Sequence, residues 1–299
     1  MVVVNSVIVE QVKGEPRQAN INGDLFPPFF NAANVSSAKA LKTYSDDIFV
    51  VTFPKCGTTW VQHIVCQLII ENYHLEPGKE LYTYAPLIEL VGAERVDHLP
   101  RPRILKSHLN YQNLPKHDQA KYILVCRNPK DALVSYYHLV RNIKGYNWES
   151  GDFNVYFEMF CEGRLPWGGY FDYHQGWLHN VNDPNVLLLK YEDMVSDLKG
   201  AIRQIGEFLG GRAEETVEDS LKLEAIVEAS TFEAMKKDQK RWFPPVLRHP
   251  ENFIRKGTPR DWKNYFSKEQ SEKIDQLFEK RLKGTVAENW WTEEMKWED

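Results

Sequence analysis

A short polar segment at residues 54–60, with the sequence PKCGTTW, carries the first residues that could do chemistry. It follows the apolar run 48–53 and precedes the helix-like segment 60–73, which predicts a strand, a tight loop and a helix. Backbone N–H groups at the beginning of a helix attract anions, and Lys55 adds a full positive charge. The segment therefore predicts a P-loop-like cradle for a phosphate or a related anion.

The order of residues in this loop differs from that of the ATPase phosphate loop. The ATPase pattern G-x-x-x-x-G-K-[ST] places its lysine after the last glycine, whereas Lys55 precedes Gly57, and the pattern occurs nowhere in the chain. An ordinary turn between a strand and a helix is the alternative interpretation, because lysine, glycine and threonine are common at such turns.

Lys106 and His108 lie two positions apart at the end of another apolar run. Side chains two apart in an extended segment point to the same face, so both should face one pocket. Histidine can accept a proton from a substrate hydroxyl near neutral pH. The lysine would lower the pKa of the histidine and neutralise charge on a transferred group. A histidine with a purely structural role at the surface is the alternative.

Other side chains that suit a nucleotide occur farther along the chain. Arg127 with Ser135, and the run 255–257 (Arg-Lys-Gly), offer groups that bind phosphate. Trp60 and Phe232 could sandwich a flat base between their rings. Solvated surface charge and core packing are the respective alternatives.

Four continuous apolar runs are typical of strands buried in a parallel sheet with both faces covered. They span residues 48–53, 103–106, 122–126 and 185–189. Helical patterns alternate with them at residues 60–73, 131–141, 170–180 and 196–209. The alternation predicts an α/β fold with a central parallel sheet flanked by helices. Basic or titratable residues follow every run, at the carboxyl ends where open α/β sheets bind ligands, so we expect an anionic ligand there.

The last third of the chain is less regular. Residues 219–228 are helix-like, and 236–250, rich in charge, proline and aromatic residues, predict a long ordered loop or lid. Ser267 with Gln270 forms a capping-box pattern, which predicts a final helix. No repeat or linker divides the chain, so we predict one domain over residues 1–299.

The amino-acid composition favours a globular protein and argues against several other classes. The chain has 299 residues, 42% of them hydrophobic and 26% charged, as in a globular protein. The net charge of −5 argues against nucleic acid as a partner. The four cysteines form no C-x-x-C pair, which favours a reducing compartment over a disulfide framework or a zinc site. We find neither a secretory signal nor an apolar run of about 18 residues, so no membrane partner is expected.

Five motifs, in one order along the chain, resemble those of the cytosolic sulfotransferases. They are PKCGTTW (54–60), KSH (106–108), RNPKDALVS (127–135), YEDM (191–194) and RKGTPRDWKNYF (255–266). The resemblance implies a single-domain cytoplasmic enzyme that uses 3′-phosphoadenosine 5′-phosphosulfate (PAPS) and no metal. Its reaction would move a sulfuryl group to a hydroxyl or amine of a small aromatic or apolar acceptor and leave adenosine 3′,5′-bisphosphate (PAP).

The resemblance also implies roles for individual residues. The 5′-phosphosulfate and adenine would contact the loop residues Lys55, Cys56, Gly57, Thr58, Thr59 and Trp60. The 3′-phosphate would be held by Arg127, Ser135, Arg255, Lys256 and Gly257, and the adenine would be lined by Tyr191, Ser230 and Phe232. His108 would be the base, with Lys106 and Lys55 stabilising the transferred group. The acceptor would contact Phe29, Phe30, Leu87, Lys106, His108, Tyr137 and Tyr146.

Three places depart from the family pattern. Cys56 replaces a common serine, although its backbone N–H is retained. Arg260 replaces a glycine before Asp-Trp-Lys, where glycine tolerates a positive φ and arginine does not. The dimer motif K-x-x-x-T-V-x-x-x-E is matched at Lys263 and Glu272, but its centre reads Ser267-Lys268. The degenerate motif leaves a homodimer open.

The acceptor is the least defined part of this interpretation. Leu87 and Leu90 stand where phenol-preferring relatives often carry phenylalanine, which predicts a pocket wider than a simple phenol needs. Phenols, catecholamines, steroids and aliphatic alcohols all stay open.

Three other functions are alternatives. A small-molecule kinase would need a lysine after the glycine and an acidic magnesium site, and the sequence offers neither. A non-catalytic nucleotide-binding protein would lack a base, whereas His108 is present. A membrane-anchored carbohydrate sulfotransferase would need an anchor segment, and we find none in the sequence.

Overall fold

Two sheets make up the β-structure of residues 7–237, 239–242 and 253–298, which are the residues that the computed structural model describes. An antiparallel sheet consists of β1 (Val7–Glu10), β2 (Gln18–Ile21) and β3 (Asp24–Phe26). A parallel sheet, in the order β5-β4-β6-β7, consists of β4 (Ile48–Thr52), β5 (Ile104–Ser107), β6 (Lys121–Cys126) and β7 (Val186–Lys190). The central parallel sheet expected from the four apolar runs is thereby confirmed.

The register of the parallel strands brings their carboxyl ends to one edge. Val51 of β4 pairs with Ser107 of β5 and with Leu124 of β6. Cys126, at the end of β6, pairs with Lys190 of β7. The polar residues that follow the strands therefore meet at the edge where α/β sheets bind ligands.

Helices cover both faces of this sheet. They are α1 (Ala32–Lys39), α2 (Thr58–Ile69), α3 (Leu81–Tyr84), α4 (Ile88–Asp97), α5 (Pro129–Asn142), α6 (Phe153–Cys161), α7 (Tyr170–Leu178), α8 (Tyr191–Ser196), α9 (Leu198–Leu209), α10 (Arg212–Glu218), α11 (Ser220–Ala229), α12 (Phe232–Lys236) and α13 (Lys268–Leu282). Side chains alternate between the faces of a strand, so Phe49 and Val51 of β4 pack into one hydrophobic cluster with α5 and α7. Ile48 and Val50 pack into a second cluster with α2 and α9.

The predicted helices form with shifted ends. Asp197, not Ser196, caps α9, because its carboxylate accepts the Gly200 N–H at 2.8 Å, whereas Ser196 ends the short helix α8. The predicted capping box of α13 is present, with Ser267 and Gln270 bonded reciprocally. The antiparallel sheet and the helices α1, α3, α4, α6, α8, α10 and α12 were not predicted from the sequence.

The predicted loop or lid at 236–250 lies partly outside the described residues, which omit 238 and 243–252. Within its described part, Lys236 ends α12 and Gln239–Arg241 form a 3₁₀ turn. Among the helices of the described ranges, none is both long and apolar enough to cross a lipid bilayer.

A buried ion pair joins the beginnings of β4 and β5. The Arg103 guanidinium, with 2% of its side chain exposed, donates to both carboxylate oxygens of the fully buried Asp47 at 2.7 and 2.6 Å. It also donates to Asp97 and to the Lys42 carbonyl oxygen. Because each guanidinium nitrogen has an acceptor, the charges are compensated although they are withheld from water.

We predict that Arg103→Ala lowers the free energy of unfolding by about 3–5 kcal/mol, because Asp47 keeps a buried charge without its cation. Arg281→Ala is the matched control, since Arg281 and its partner Asp172 are 37% and 65% exposed. Loss of such a surface pair costs up to about 1 kcal/mol. Denaturant titration compares the two variants, and equally small losses would contradict the role given to Arg103.

Candidate active site

The loop expected to cradle an anion joins β4 to α2. Lys55 and Gly57 have left-handed backbone conformations, with φ of 69° and 97°, and α2 begins directly afterwards at Thr58. A β-carbon at Gly57 would lie 3.0 Å from the Tyr191 ring, so a larger residue there would be both strained and crowded. The hydroxyls of Thr52 and Thr58 are 2.6 Å apart, which closes the loop beneath.

A cavity of about 520 Å³ opens at the carboxyl edge of the parallel sheet. Most of the residues assigned to the donor or to catalysis line this cavity, namely Lys55, Gly57, Thr58, Thr59, Trp60, Lys106, His108, Arg127, Ser135, Tyr191, Phe232, Arg255, Lys256 and Gly257. Four further residues assigned to the acceptor do so as well, namely Phe29, Phe30, Leu87 and Tyr146. The fold thus brings distant segments of the chain around one space.

Two side chains assigned to the donor face the interior instead. The Cys56 side chain is fully buried, and its backbone N–H donates to the Phe53 carbonyl oxygen at 3.3 Å. The Ser230 hydroxyl is buried where it accepts a hydrogen bond from the Gln67 amide at 3.0 Å. Thr231, rather than Ser230, reaches the cavity wall.

Tyr137, which was assigned to the acceptor, is not among the residues that line this cavity. It is 5% exposed and donates its hydroxyl to the Gly151 carbonyl oxygen at 2.8 Å. Its ring packs edge-on against Trp148 and Phe153. These contacts place Tyr137 in the aromatic core beside α5.

His108 lies just beyond β5 and is 5% exposed. Its Nδ1 is 2.8 Å from the Thr52 carbonyl oxygen, so this nitrogen carries the proton and donates it. Nε2 then holds the free lone pair, and no described residue hydrogen-bonds to it. Burial, more than the charge of Lys106, lowers the pKa of His108 well below 6.5. The ring is therefore neutral at pH 7, as a proton acceptor must be.

Lys55 and Lys106 put positive charge beside this ring. Burial and then the charges of Arg127, Lys106 and Arg255 lower the pKa of Lys55 from 10.5 to about 7. Burial lowers the pKa of Lys106 to about 8. Neither ammonium group forms a salt bridge to a described residue, although the Lys55 ammonium lies 4.2 Å from the centre of the Phe253 ring. An anion in the cavity would restore the charged forms of both side chains.

An aromatic wall follows the loop. The Trp60 indole donates to the Ser230 carbonyl oxygen at 2.7 Å and meets the Tyr191 ring edge-on. The Arg127 guanidinium stacks 4.3 Å above Tyr191 and donates to the Lys55 carbonyl oxygen at 3.0 Å. The Nε–H of Arg127 is buried and has no acceptor among the described residues. A buried guanidinium N–H without an acceptor fits a site for an anionic group.

Arg255 and Lys256 are held at the cavity by one carboxylate. Each of them pairs with a different oxygen of Asp261, and Lys256 Nζ is 2.5 Å from Oδ1. Gly257 follows with φ of 70°, and a β-carbon there would lie 2.2 Å from the Phe232 ring. Only glycine therefore lets Phe232 pack against this backbone.

Arg260 adopts the backbone conformation expected of the glycine that it replaces. Its φ is 67°, which costs a residue with a β-carbon roughly 1–2 kcal/mol. Its N–H donates to the Asp131 carboxylate at 2.7 Å, and its guanidinium contacts Glu298 at 3.0 Å. These contacts offset the strain, so the departure from the family pattern leaves the loop in place.

Sequence reasoning missed two residues next to the cavity. Glu89 is fully buried and binds the backbone of His108. Asp261 orients Arg255. Trp167, which lines the cavity, places its ring 4.9 Å from the His108 ring. A glutamate inside the apolar stretch 85–91 is the one signal that could have been noticed. Within the described ranges, no group of His, Cys, Asp or Glu side chains is arranged to hold a metal ion.

The model of the family described as "Sulfotransferase domain" matches residues 45–286. The chain belongs to the sulfotransferase family. Human sulfotransferase 1C2 is 34% identical over an alignment of 281 residues, and the match covers 89% of this chain and 92% of the relative. Rabbit amine sulfotransferase is 34% identical over an alignment of 250 residues, and the match covers 80% of this chain and 81% of the relative. The predicted family and enzyme class, a PAPS-dependent sulfotransferase, are thereby confirmed.

Structural similarity agrees with the sequence comparison. The crystal structure of mouse sulfotransferase SULT7A1 complexed with PAP superposes with a TM-score of 0.75 at 29% identity. The match covers 88% of this sulfotransferase and 92% of the mouse chain. The parallel sheet and the covering helices are therefore those of the family.

We predict that PAP binds to this sulfotransferase more weakly as the pH rises from about 7 to about 9, by up to about tenfold per pH unit for each proton involved. The pKa of Lys55 is about 7 and that of Lys106 about 8 without ligand. Phosphate favours the charged lysines, so binding above these values must take up protons.

Titration calorimetry in two buffers of different ionisation enthalpy measures this uptake. We expect protons to be taken up at pH of about 8, and fewer in Lys55→Gln than in the wild type. Affinity and heat that do not change with pH or buffer would contradict the low pKa of the lysines.

Proposed function

We propose that this sulfotransferase moves the sulfuryl group of PAPS to the hydroxyl of a small, uncharged, apolar acceptor, with His108 as the general base. The observation that supports the proposal most directly is the free Nε2 of His108 in a cavity shared with Lys55 and Lys106. An amine acceptor is a second candidate because rabbit amine sulfotransferase is among the relatives.

The residues of the cavity fit PAPS at both of its charged ends. The loop at Lys55 and Gly57 suits the 5′ end, where the helix N-terminus and the ammonium group face an anion. Arg127, with its unpaired Nε–H, and Arg255 with Lys256 suit a second phosphate. Two separate cationic groups agree with a nucleotide that carries phosphate on both its 3′ and its 5′ oxygens.

The protein's part in the reaction is to move one proton and to neutralise charge. When bound, PAPS supplies a sulfuryl group attached to a phosphate leaving group. Nε2 of His108 would accept the proton of the acceptor hydroxyl, while Nδ1–H stays on the Thr52 carbonyl oxygen and fixes the ring. Charged Lys55 and Lys106 would stabilise the negative charge that moves to the leaving phosphate.

Aromatic side chains line the part of the cavity proposed for the acceptor. The centre of the Phe30 ring lies 5.5 Å from the ring centres of Phe29 and of Trp167, and the Phe29 ring meets the Tyr146 ring edge-on. Leu87 completes this part of the lining. In the part of the chain that the structure describes, the cavity lining contains no Asp or Glu side chain. An acceptor without positive charge suits such a surface, because an ammonium group would lose its hydration without gaining a partner.

We further propose that residues 1–299 work as one domain and that the enzyme is cytoplasmic. The two hydrophobic clusters lie on the two faces of a single sheet, which supports one domain. All four cysteines are free thiols, which agrees with a reducing compartment.

We predict that His108→Ala lowers turnover by about 10²–10⁴-fold, the usual contribution of a positioned base, and leaves PAP affinity close to that of the wild type. His174→Ala is the matched control. His174 is also buried, and its Nδ1 likewise bonds a carbonyl oxygen, at 2.8 Å, but it does not line the cavity. Turnover per folded molecule is measured alongside calorimetric PAP affinity, and wild-type turnover of His108→Ala would refute the base.

We predict that Arg255→Ala weakens PAP binding by about 10–100-fold, the cost of one charged hydrogen bond, with little effect on turnover at saturating donor. Adenosine 5′-phosphate lacks the 3′-phosphate, so its affinity should hardly change. Arg260→Ala is the control, because that guanidinium pairs with Glu298 outside the cavity. Equal losses for both nucleotides would remove Arg255 from the proposed 3′-phosphate site.

A further inference from the structure

The backbone that carries His108 is anchored by one buried carboxylate. Glu89 is fully buried, and its Oε1 accepts the His108 N–H at 2.7 Å and the Ser107 hydroxyl at 3.1 Å. The Ser107 hydroxyl in turn accepts the Leu109 N–H at 3.0 Å. The chain leaves β5 at this point, so these N–H groups have no neighbouring strand to bind. Glu89 therefore replaces the sheet as the acceptor for this turn.

The same carboxylate belongs to the segment that forms one wall of the cavity. Glu89 lies in the first turn of α4, between Leu87 and Leu90, which both line the cavity. The Pro86 carbonyl oxygen accepts the Lys106 N–H at 3.0 Å, so this segment also runs along β5. The cavity wall at Leu87 and Leu90 is thus connected to His108 by the Glu89 side chain, and to β5 by the backbone hydrogen bond of Pro86.

We infer that Glu89 is a positioning residue of sulfuryl transfer, which holds the main chain of His108 at a fixed place relative to the acceptor wall. The inference depends on the proposed role of His108 as the base. Glu89 itself does not line the cavity, so it acts through His108 and does not touch the reacting atoms.

Three separate contacts fix the position of His108, and the contact with Glu89 is the one made by its backbone. Nδ1–H is fixed by the Thr52 carbonyl oxygen, and the ring edge by Trp167. Without Glu89 the backbone N–H of His108 would be buried and unpaired, and the turn after β5 would rearrange to satisfy it. Such a shift moves Nε2 with respect to an acceptor held by Leu87 and Leu90.

Burying the Glu89 carboxylate costs free energy, so its presence at this position argues for a specific role. Oε2 of Glu89 is buried and has no hydrogen-bond partner among the described residues. Burial raises the pKa of Glu89 to about 7, against the opposing effect of the His108 N–H and the Ser107 hydroxyl. An apolar residue would avoid that cost, but it could not bind the two donors.

The experiment compares Glu89→Ala with Glu89→Gln and Ser107→Ala. The alanine at position 89 removes both hydrogen bonds and should lower kcat on the order of 10²-fold, the usual effect of a misplaced catalytic group. PAP affinity should stay close to wild type. Glutamine keeps an oxygen at Oε1 and should recover most of the loss. Ser107→Ala leaves the bond from Glu89 to the His108 N–H and should have a small effect.

Two further measurements distinguish a specific effect of Glu89 on the position of His108 from a general loss of structure. In a His108→Ala background, Glu89→Ala should cause no additional loss of turnover, since it acts through a ring that is absent. In ¹⁵N-histidine NMR spectra, assigned with His108→Ala, the His108 ring signals should change in Glu89→Ala and be restored in Glu89→Gln. Where the alanine variant does not fold, Glu89→Asp, which withdraws the carboxylate, should lower kcat with PAP affinity kept.

These experiments distinguish a failure of the inference about Glu89 from a failure of the proposed role of His108. Wild-type turnover in His108→Ala would remove the base, and the inference with it. An inactive His108→Ala together with wild-type kcat in Glu89→Ala or in Glu89→Asp would overturn the inference alone. Additive losses in the double variant, or unchanged His108 signals, would also overturn it.

Discussion

Positive charge withheld from water at the carboxyl edge of the parallel sheet is the constraint on which the site depends. Lys55, Lys106, Arg127 and Arg255 all line one cavity, and their mutual repulsion adds to the cost of burial. Their proximity follows from the register of β4, β5 and β6, which ends the strands at one level. Asp261 pairs with Arg255 from outside the cavity, but no carboxylate among the described residues lines the cavity beside Lys55 and Lys106, so a ligand that carries negative charge completes the arrangement.

Three buried carboxylates lie outside the cavity lining but next to it. Glu89 binds the backbone of His108, and Asp261 binds Arg255 from the far side. Glu192 is 7% exposed and accepts the Asn128 N–H at 3.0 Å and the Trp291 indole N–H at 2.7 Å. Burial raises the pKa of Glu192 to about 7, as it does for Glu89. Carboxylates in these places orient the backbone and the cations but leave the cavity itself free for an anion.

The sequence predicted the elements that are determined by the residues within them, such as the strands of the parallel sheet. A continuous apolar run such as 122–126 can only be satisfied by burial on both faces, so the parallel strands were found within a residue of their ends. Most of the residues assigned to the site line one cavity, because motifs at strand ends converge on one edge. The antiparallel sheet was missed because strands as short as Asp24–Phe26 carry no readable period.

Two residues assigned to the site, Ser230 and Tyr137, do not line the cavity, because the direction of a side chain depends on how its helix ends or packs. Ser230 follows α11, and Thr231 caps α12, so the chain turns between them and only Thr231 reaches the cavity. Tyr137 lies on the face of α5 that packs inward, which its neighbours Trp148 and Phe153 decide. The partners of Tyr137 lie more than ten residues away along the chain, so the sequence around position 137 does not show its direction. Glu89 was missed likewise, since its partners at β5 are distant in sequence.

The segment around the altered glycine shows which parts of a motif are constrained by geometry. Arg260 keeps the left-handed backbone because Asp131 accepts its N–H, and Asp131 also accepts the Trp262 N–H at 3.2 Å. The backbone conformation is thus fixed by the acceptor rather than by the absence of a β-carbon. Ser267, at the centre of the degenerate dimer motif, instead caps α13. What the segment retains is the position of Asp261, and through it the direction in which Arg255 faces the cavity.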